Sequence, residues 1–187
     1  TARDDRTALV RRLLDDETLE MHVRVAGLLV LLYGQLITRV ALLTHDSIVE
    51  DVSGTTLRLG VTPVKLPEPV ARLVLELRDR PPLTSTPVRG DHAWLFTGKV
   101  PGRPMVAHAL QQTLTRCGIP VRPNRNGSLM DLAAHMPAPV LADLLDLSVG
   151  IAHQWAQAAR GDWGTYVAQR ARGSRTDAAR PASPTGG

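Results

Sequence analysis

Aromatic residues are scarce in this chain: Phe, Trp and Tyr together make up 3% of its 187 residues. With so few large rings, a core must be filled by Leu, Val and Ala. Cysteine occurs once, at Cys117. That excludes an internal disulfide and a thiolate metal cluster, and it fits a reducing, cytoplasmic setting. The longest apolar run, Val25 to Leu32, is far shorter than the roughly 20 residues of a membrane-spanning helix. No secretory signal pattern opens the sequence. It begins with Thr1 rather than Met, which leaves room for an upstream domain.

Lysine is nearly absent as well, with 20 Arg against 2 Lys and a formal net charge of +4. The excess is unevenly placed. From His92 to Met130 there is no Asp or Glu, while Lys99, Arg103, Arg116, Arg122 and Arg125 all fall there. A basic, acid-free stretch suits a polyanion such as DNA. The alternative is a solvated face in an Arg-rich proteome.

The pattern along the chain predicts a mostly helical α+β domain over residues 1–172, with a polar, disordered tail over 173–187. Asp15 and Asp16 read as the start of a helix running to about Tyr33. Its dense Leu28, Leu29, Leu31 and Leu32 suggest a central position in the core. A second helix is expected near Leu36–Leu43. The period then changes, and Ser47–Glu50, Thr55–Leu59 and Val64–Leu66 read as three short antiparallel strands. Pro67 and Pro69 suit the first turn of the next helix. "AWLF" reads as a short strand and Met105–Cys117 as a helix ended by Gly118. Further helices are expected over about Gly127–Ala134, Pro139–Leu145, Ser148–Ala159 and Asp162–Arg172.

This order resembles the catalytic domain of the tyrosine recombinases, the phage integrase family. "LLVLLYGQLITRVALLTHDSIVED" is similar to the family's paired helices leading into a first strand. "TLRLGVTPVKLPEPVARLVLEL" resembles its strand-turn-strand and following helix, and "WLFTGKVPGRPM" the strand and loop after that. "RPNRNGSLMDLAAHM" stands where the family has its His-x-x-Arg box, and "LADLLDLS" where it has Leu-Leu-Gly-His. The resemblance implies helices around a small three-stranded antiparallel sheet, a DNA partner and no cofactor. It also implies a chemistry in which a tyrosine hydroxyl attacks a phosphodiester. Two arginines neutralise the phosphate oxygens, and a lysine and a histidine move protons.

Most positions matching that constellation hold other residues. The first arginine is expected at Leu36; Arg39 lies one helical turn later, where the family usually has an acid. The turn "LGVTP" contains no lysine, and Lys65 lies on the third strand, reading as solvent-facing. Arg125 matches the second arginine. Arg122 replaces the histidine, and an arginine holds phosphate but cannot exchange protons near neutral pH. Asp146 and Leu147 replace the Gly-His pair. Trp155 and Ala156 stand where the tyrosine is expected, and the one downstream tyrosine, Tyr166, is about three helical turns further on. Tyr166 and Trp163 read more simply as packing anchors of a terminal helix. Losing members of a catalytic unit that acts together is severe. The resemblance therefore implies a degenerate, non-cleaving relative. The alternative is a divergent active recombinase using Arg39, Arg122, Arg125 and Tyr166.

"LADLLDLSVGIAHQWAQ" also fits a helix-turn-helix. Ser148 would cap the second helix, Ala152, Trp155, Ala156 and Ala159 would face inward, and Val149, Gly150, His153, Gln154 and Gln157 outward. Asp146 occupies the turn position that favours glycine. Two ordinary core helices with a short loop would read the same way. Candidate phosphate or base contacts are thus Arg122, Arg125, Arg103, Lys99, His153 and Gln154. The six histidines show no metal-ligand spacing, "GKVPGRP" is not a P-loop, and no metal or cofactor is expected. A homo-oligomer, an assembly with an upstream DNA-binding domain, and a vestigial protein-interaction domain are further expectations of this reading.

Overall fold

The computed structural model describes residues 2–80 and 93–160. The expectations for Trp163, Tyr166, the helix 162–172 and the tail 173–187 lie outside them. The described chain runs α1 (Ala2–Asp15), α2 (Met21–Tyr33), α3 (Ile37–Val40), β1 (Ile48–Asp51), β2 (Gly54–Leu57), β3 (Val64–Lys65), α4 (Glu68–Asp79), α5 (Ala107–Arg116), α6 (Val121–His135) and α7 (Ala138–Leu145). Residues 149–160 are also helical and are called α8. This is the expected mostly helical α+β architecture with one small antiparallel sheet, ordered β1-β2-β3. No helix among the described residues is long and apolar enough to cross a membrane.

The core is built around α2. Val23, Val25, Ala26, Leu28, Leu29 and Val30 are all at most 1% exposed. A helix apolar on every side must be surrounded, and α2 touches α1, α3, α4, α5 and α6. Each fully buried Leu or Val contributes roughly 1.5–3 kcal/mol. The sheet supplies a smaller apolar face: Ile48 pairs with Leu57 and Leu57 with Val64. Ile48 and Leu57 are buried, while Lys65 is exposed as expected.

Three expectations need correcting. The helix expected from Asp15 to Tyr33 is two helices, α1 and α2, separated by a turn. Asp15 ends α1 instead of starting a helix, and the Asp16 carboxylate accepts from the backbone N–H of Thr18 at 3.1 Å. A short acidic side chain satisfies turn amides as readily as helix-start amides. The turn is locked by Arg24, a buried residue of α2. Its Nε donates to the Leu13 carbonyl at 2.8 Å, and its Nη2 donates to the Leu14 carbonyl. A guanidinium on the final carbonyls of α1 satisfies orphan acceptors and meets the negative end of the helix dipole.

The second correction concerns α6, which begins at Val121 and not near Gly127. Pro123 sits in its first turn, where the missing N–H is no loss, and Asn124 Nδ2 donates back to the Pro120 carbonyl at 2.8 Å. Gly127 does not end the helix. Its bare backbone receives the Arg6 guanidinium, which pairs with Asp131 and ties α1 to α6. The third concerns "AWLF". Ala93 to Phe96 forms no strand. It lies antiparallel to Leu43–His45 through the single bridge Thr44–Trp94, with Leu95 N donating to Leu43 O and His45 N to Ala93 O, both at 2.8 Å.

Candidate nucleic-acid interface

The junction after α2 determines where the arginines lie. Gly34 closes α2 in the left-handed region (φ 59°), and its N–H and that of Gln35 return to Val30 O and Leu29 O. A Cβ at Gly34 would fall 2.7 Å from Leu129 Cγ and 3.3 Å from the Arg125 carbonyl. The absent side chain therefore lets α6 press against the end of α2. Ser128 fastens the contact by donating to the Leu31 carbonyl. Arg125 of α6 lies near enough to Arg39 of α3 to feel its charge.

Arg125 is half-buried, and its Nε is buried without a hydrogen-bond partner. Burial lowers its pKa, and the positive charge of Arg39 lowers it further. A guanidinium stays protonated near neutral pH despite such a shift. The arrangement holds a cation in a place unfavourable to cations, and a bound anion would relieve it. Arg122 lies on the same helix three residues earlier and is exposed. At that spacing two side chains project from neighbouring turns of one face, with Arg122 in the first turn of α6, where backbone amides also favour an anion.

Arg39 is used differently. Its Nη1 donates to the Asp146 carbonyl at 2.7 Å, to Asp146 Oδ2 at 2.7 Å and to the Leu145 carbonyl at 3.4 Å. It therefore caps the end of α7 across 107 residues of sequence. Asp146 adopts the left-handed conformation expected of that turn (φ 53°, ψ 47°), which Asp tolerates better than most residues. The other side of α7 is closed by the turn between β2 and β3. Val61 N donates to the Asp143 carbonyl at 2.8 Å and Thr62 N to the same oxygen at 3.4 Å. A Cβ at Gly60 would collide with that carbonyl and lie 2.6 Å from Asp146 N. The turn where a catalytic lysine was sought thus docks backbone-to-backbone on α7. Sequence reading missed this contact; the signal was a glycine at the tip of a hairpin with no positive φ demanded of it.

Asp146 to Ser148 forms the tight turn between α7 and α8, and Ser148 Oγ accepts from Ile151 N at 3.3 Å as a cap. Ala152, Ala156 and Ala159 are buried, Trp155 is half-buried, and Val149, Gly150, His153, Gln154 and Gln157 are exposed. The two faces of α8 are therefore as the spacing predicts. Lys99 and Arg103 are exposed on a separate hairpin-like loop. It is closed by Gly98 N donating to Arg103 O at 2.9 Å and pinned by Trp94 Nε1 donating to Gly102 O at 3.1 Å. The structure thus puts Arg125 within range of the charge of Arg39, sets Arg122 on the same helix three residues earlier, and leaves Lys99, Arg103, His153 and Gln154 on other elements.

The fold packs helices about a small three-stranded antiparallel sheet. Among solved structures, the chain is similar to the Tn1549 transposon integrase in complex with circular intermediate DNA. One such complex superposes with a TM-score of 0.55 and 16% identity, covering 85% of this chain and 63% of that one. A second gives 0.53 and 15%, covering 87% and 65%. The likeness is one of fold, and this chain spans a little under two thirds of those solved chains. No family model matches the sequence, and no curated protein does.

Proposed function

We propose that this chain binds DNA as an integrase-type protein, in a setting of DNA recombination or integration, and does not cleave the strand. The carrying observation is Arg125. It stands at the position that the resemblance matches to the family's second arginine, its Nε has no hydrogen-bond partner, and the positive charge of Arg39 acts on it. That is the arrangement of a phosphate ligand in want of its phosphate. The similar solved integrase is itself bound to DNA, which supports the same partner here. The absence of cleavage is supported by the cap on α7. Asp146, standing where the family has glycine before its histidine, is held by Arg39, and no lysine lies in the turn from Leu59 to Pro63.

A duplex DNA titration at several salt concentrations tests the reading. Affinity should fall steeply with salt, and Arg122→Ala with Arg125→Ala should weaken binding and reduce the log–log salt slope by about 2. A nicked suicide substrate should trap no covalent adduct. An adduct that disappears in Tyr166→Phe would establish an active recombinase, and no DNA binding at low salt would remove the reading altogether.

A further inference from the structure

We infer that residues 98–104 form a pre-shaped clamp on the DNA backbone, with Lys99 and Arg103 as its two phosphate ligands. The inference rests on the reading of this chain as a DNA-binding protein, and it adds a contact that does not involve Arg125.

The shape of the tip is fixed by the chain itself. Thr97 and Pro104 form an antiparallel bridge. Gly98 N donates to Arg103 O at 2.9 Å, and Met105 N donates to Phe96 O at 2.8 Å. The tip is the four-residue turn Val100-Pro101-Gly102-Arg103, closed by Arg103 N donating to Val100 O at 3.2 Å. Proline second and a glycine third at φ 72° are the residues that a type II turn needs. A Cβ at Gly98 would lie 2.6 Å from the Pro104 carbonyl oxygen, so the two arms approach more closely than a side chain allows. Trp94 Nε1 adds a latch by donating to Gly102 O at 3.1 Å.

This stiff frame carries charge that the fold does not use. Lys99 and Arg103 are exposed, and neither has an ion-pair partner among the described residues. No Asp or Glu occurs from His92 to Met130, so nothing nearby in sequence neutralises them. Surface loops are ordinarily more mobile than the elements they join. Cations held on a rigid turn lose less freedom on binding than cations on a loose one. A fixed pair of cations matches the repeating phosphates of a duplex, whereas a fluid anionic bilayer gains nothing from the stiffness.

Duplex titration at several salt concentrations, with thermal melts of every variant, separates charge from shape. Lys99→Ala with Arg103→Ala should weaken binding about ten- to hundredfold at low salt and lower the log–log salt slope by about 2. Removing the same charge elsewhere, with Arg11→Ala and Arg72→Ala, both exposed, should leave the slope unchanged. Pro101→Gly keeps both cations and frees the turn; Trp94→Phe removes only the indole donor. Each should weaken binding about two- to tenfold without changing the slope, because the same charges meet the same phosphates once bound. Pro101 is exposed, so Pro101→Gly carries this arm if Trp94→Phe does not fold.

If the parent chain binds DNA and Lys99→Ala with Arg103→Ala keeps its slope, the inference falls and the DNA reading stands. If the parent binds no DNA at low salt, both fall. If the double alanine variant loses affinity while Pro101→Gly and Trp94→Phe bind like the parent, the turn is not pre-shaped for DNA and the inference falls. If that variant loses affinity for phosphatidylglycerol vesicles but not for DNA, the clamp is assigned to the wrong partner and the inference falls.

Discussion

The end of α7, which Arg39 caps, and the start of α6 use their polar groups in opposite ways. At the end of α7 the capacity is consumed. The Asp143 carbonyl takes two turn amides, and Arg39 takes the Leu145 and Asp146 carbonyls together with the Asp146 carboxylate. At the start of α6 it is left over: Arg122 is exposed, and Arg125 Nε is buried and unbonded. Native interiors rarely leave a buried donor unmet. The contrast separates a joint that holds the fold from a helix start whose arginine donors are not used by it.

The comparison is broken hardest at Gly60. Gly60→Ala forces a methyl into the Asp143 carbonyl and the Asp146 amide, and backbone cannot yield as a flexible side chain can. The expected loss is about 3 kcal/mol, read as a lower midpoint in urea unfolding. A midpoint unchanged from the parent chain would mean that the turn does not dock on α7. Arg39→Ala should cost about 1 kcal/mol in the same assay, the scale of a partly exposed cap on helix-end carbonyls. Arg125→Gln should be the mildest, within about 0.5 kcal/mol of the parent, because it removes a donor that has nothing to bond. The same variant should lose DNA affinity. A reversal of the last two, with Arg125 holding the fold and Arg39 not, would overturn the division drawn here.

Much of this was legible in the sequence. The strands lie within about two residues of their expected ends because alternation and the turns "VSG" and "GVTP" both constrain them. The inward stripe of α8 is as spaced, since burial of small residues at i, i+4 and i+7 leaves little choice. The boundary between α1 and α2 was not legible. Asp15 and Asp16 satisfy a helix start and a turn equally well, and only the Arg24 bonds to Leu13 and Leu14 decide between them. The start of α6 was hidden by Pro123 and Gly127, each usually a breaker and each here harmless for a local reason. In the candidate site, the sequence marked Arg125 and Arg122 by position and Asp146 as the residue in a turn that favours glycine. What held Arg39 was out of reach: a cap onto a helix end 107 positions away is a tertiary fact with no periodicity to announce it.

The buried Arg24 has a consequence for how far the domain can be cut back. Its guanidinium is shielded from water inside the molecule and donates to the Leu13 and Leu14 carbonyls of α1. A chain trimmed to begin at Met21 would keep every residue of the central helix yet strand that charge against a bare apolar wall. The first fifteen residues, which look from the outside like a detachable lead-in, thereby set the amino-terminal limit of the smallest piece able to fold.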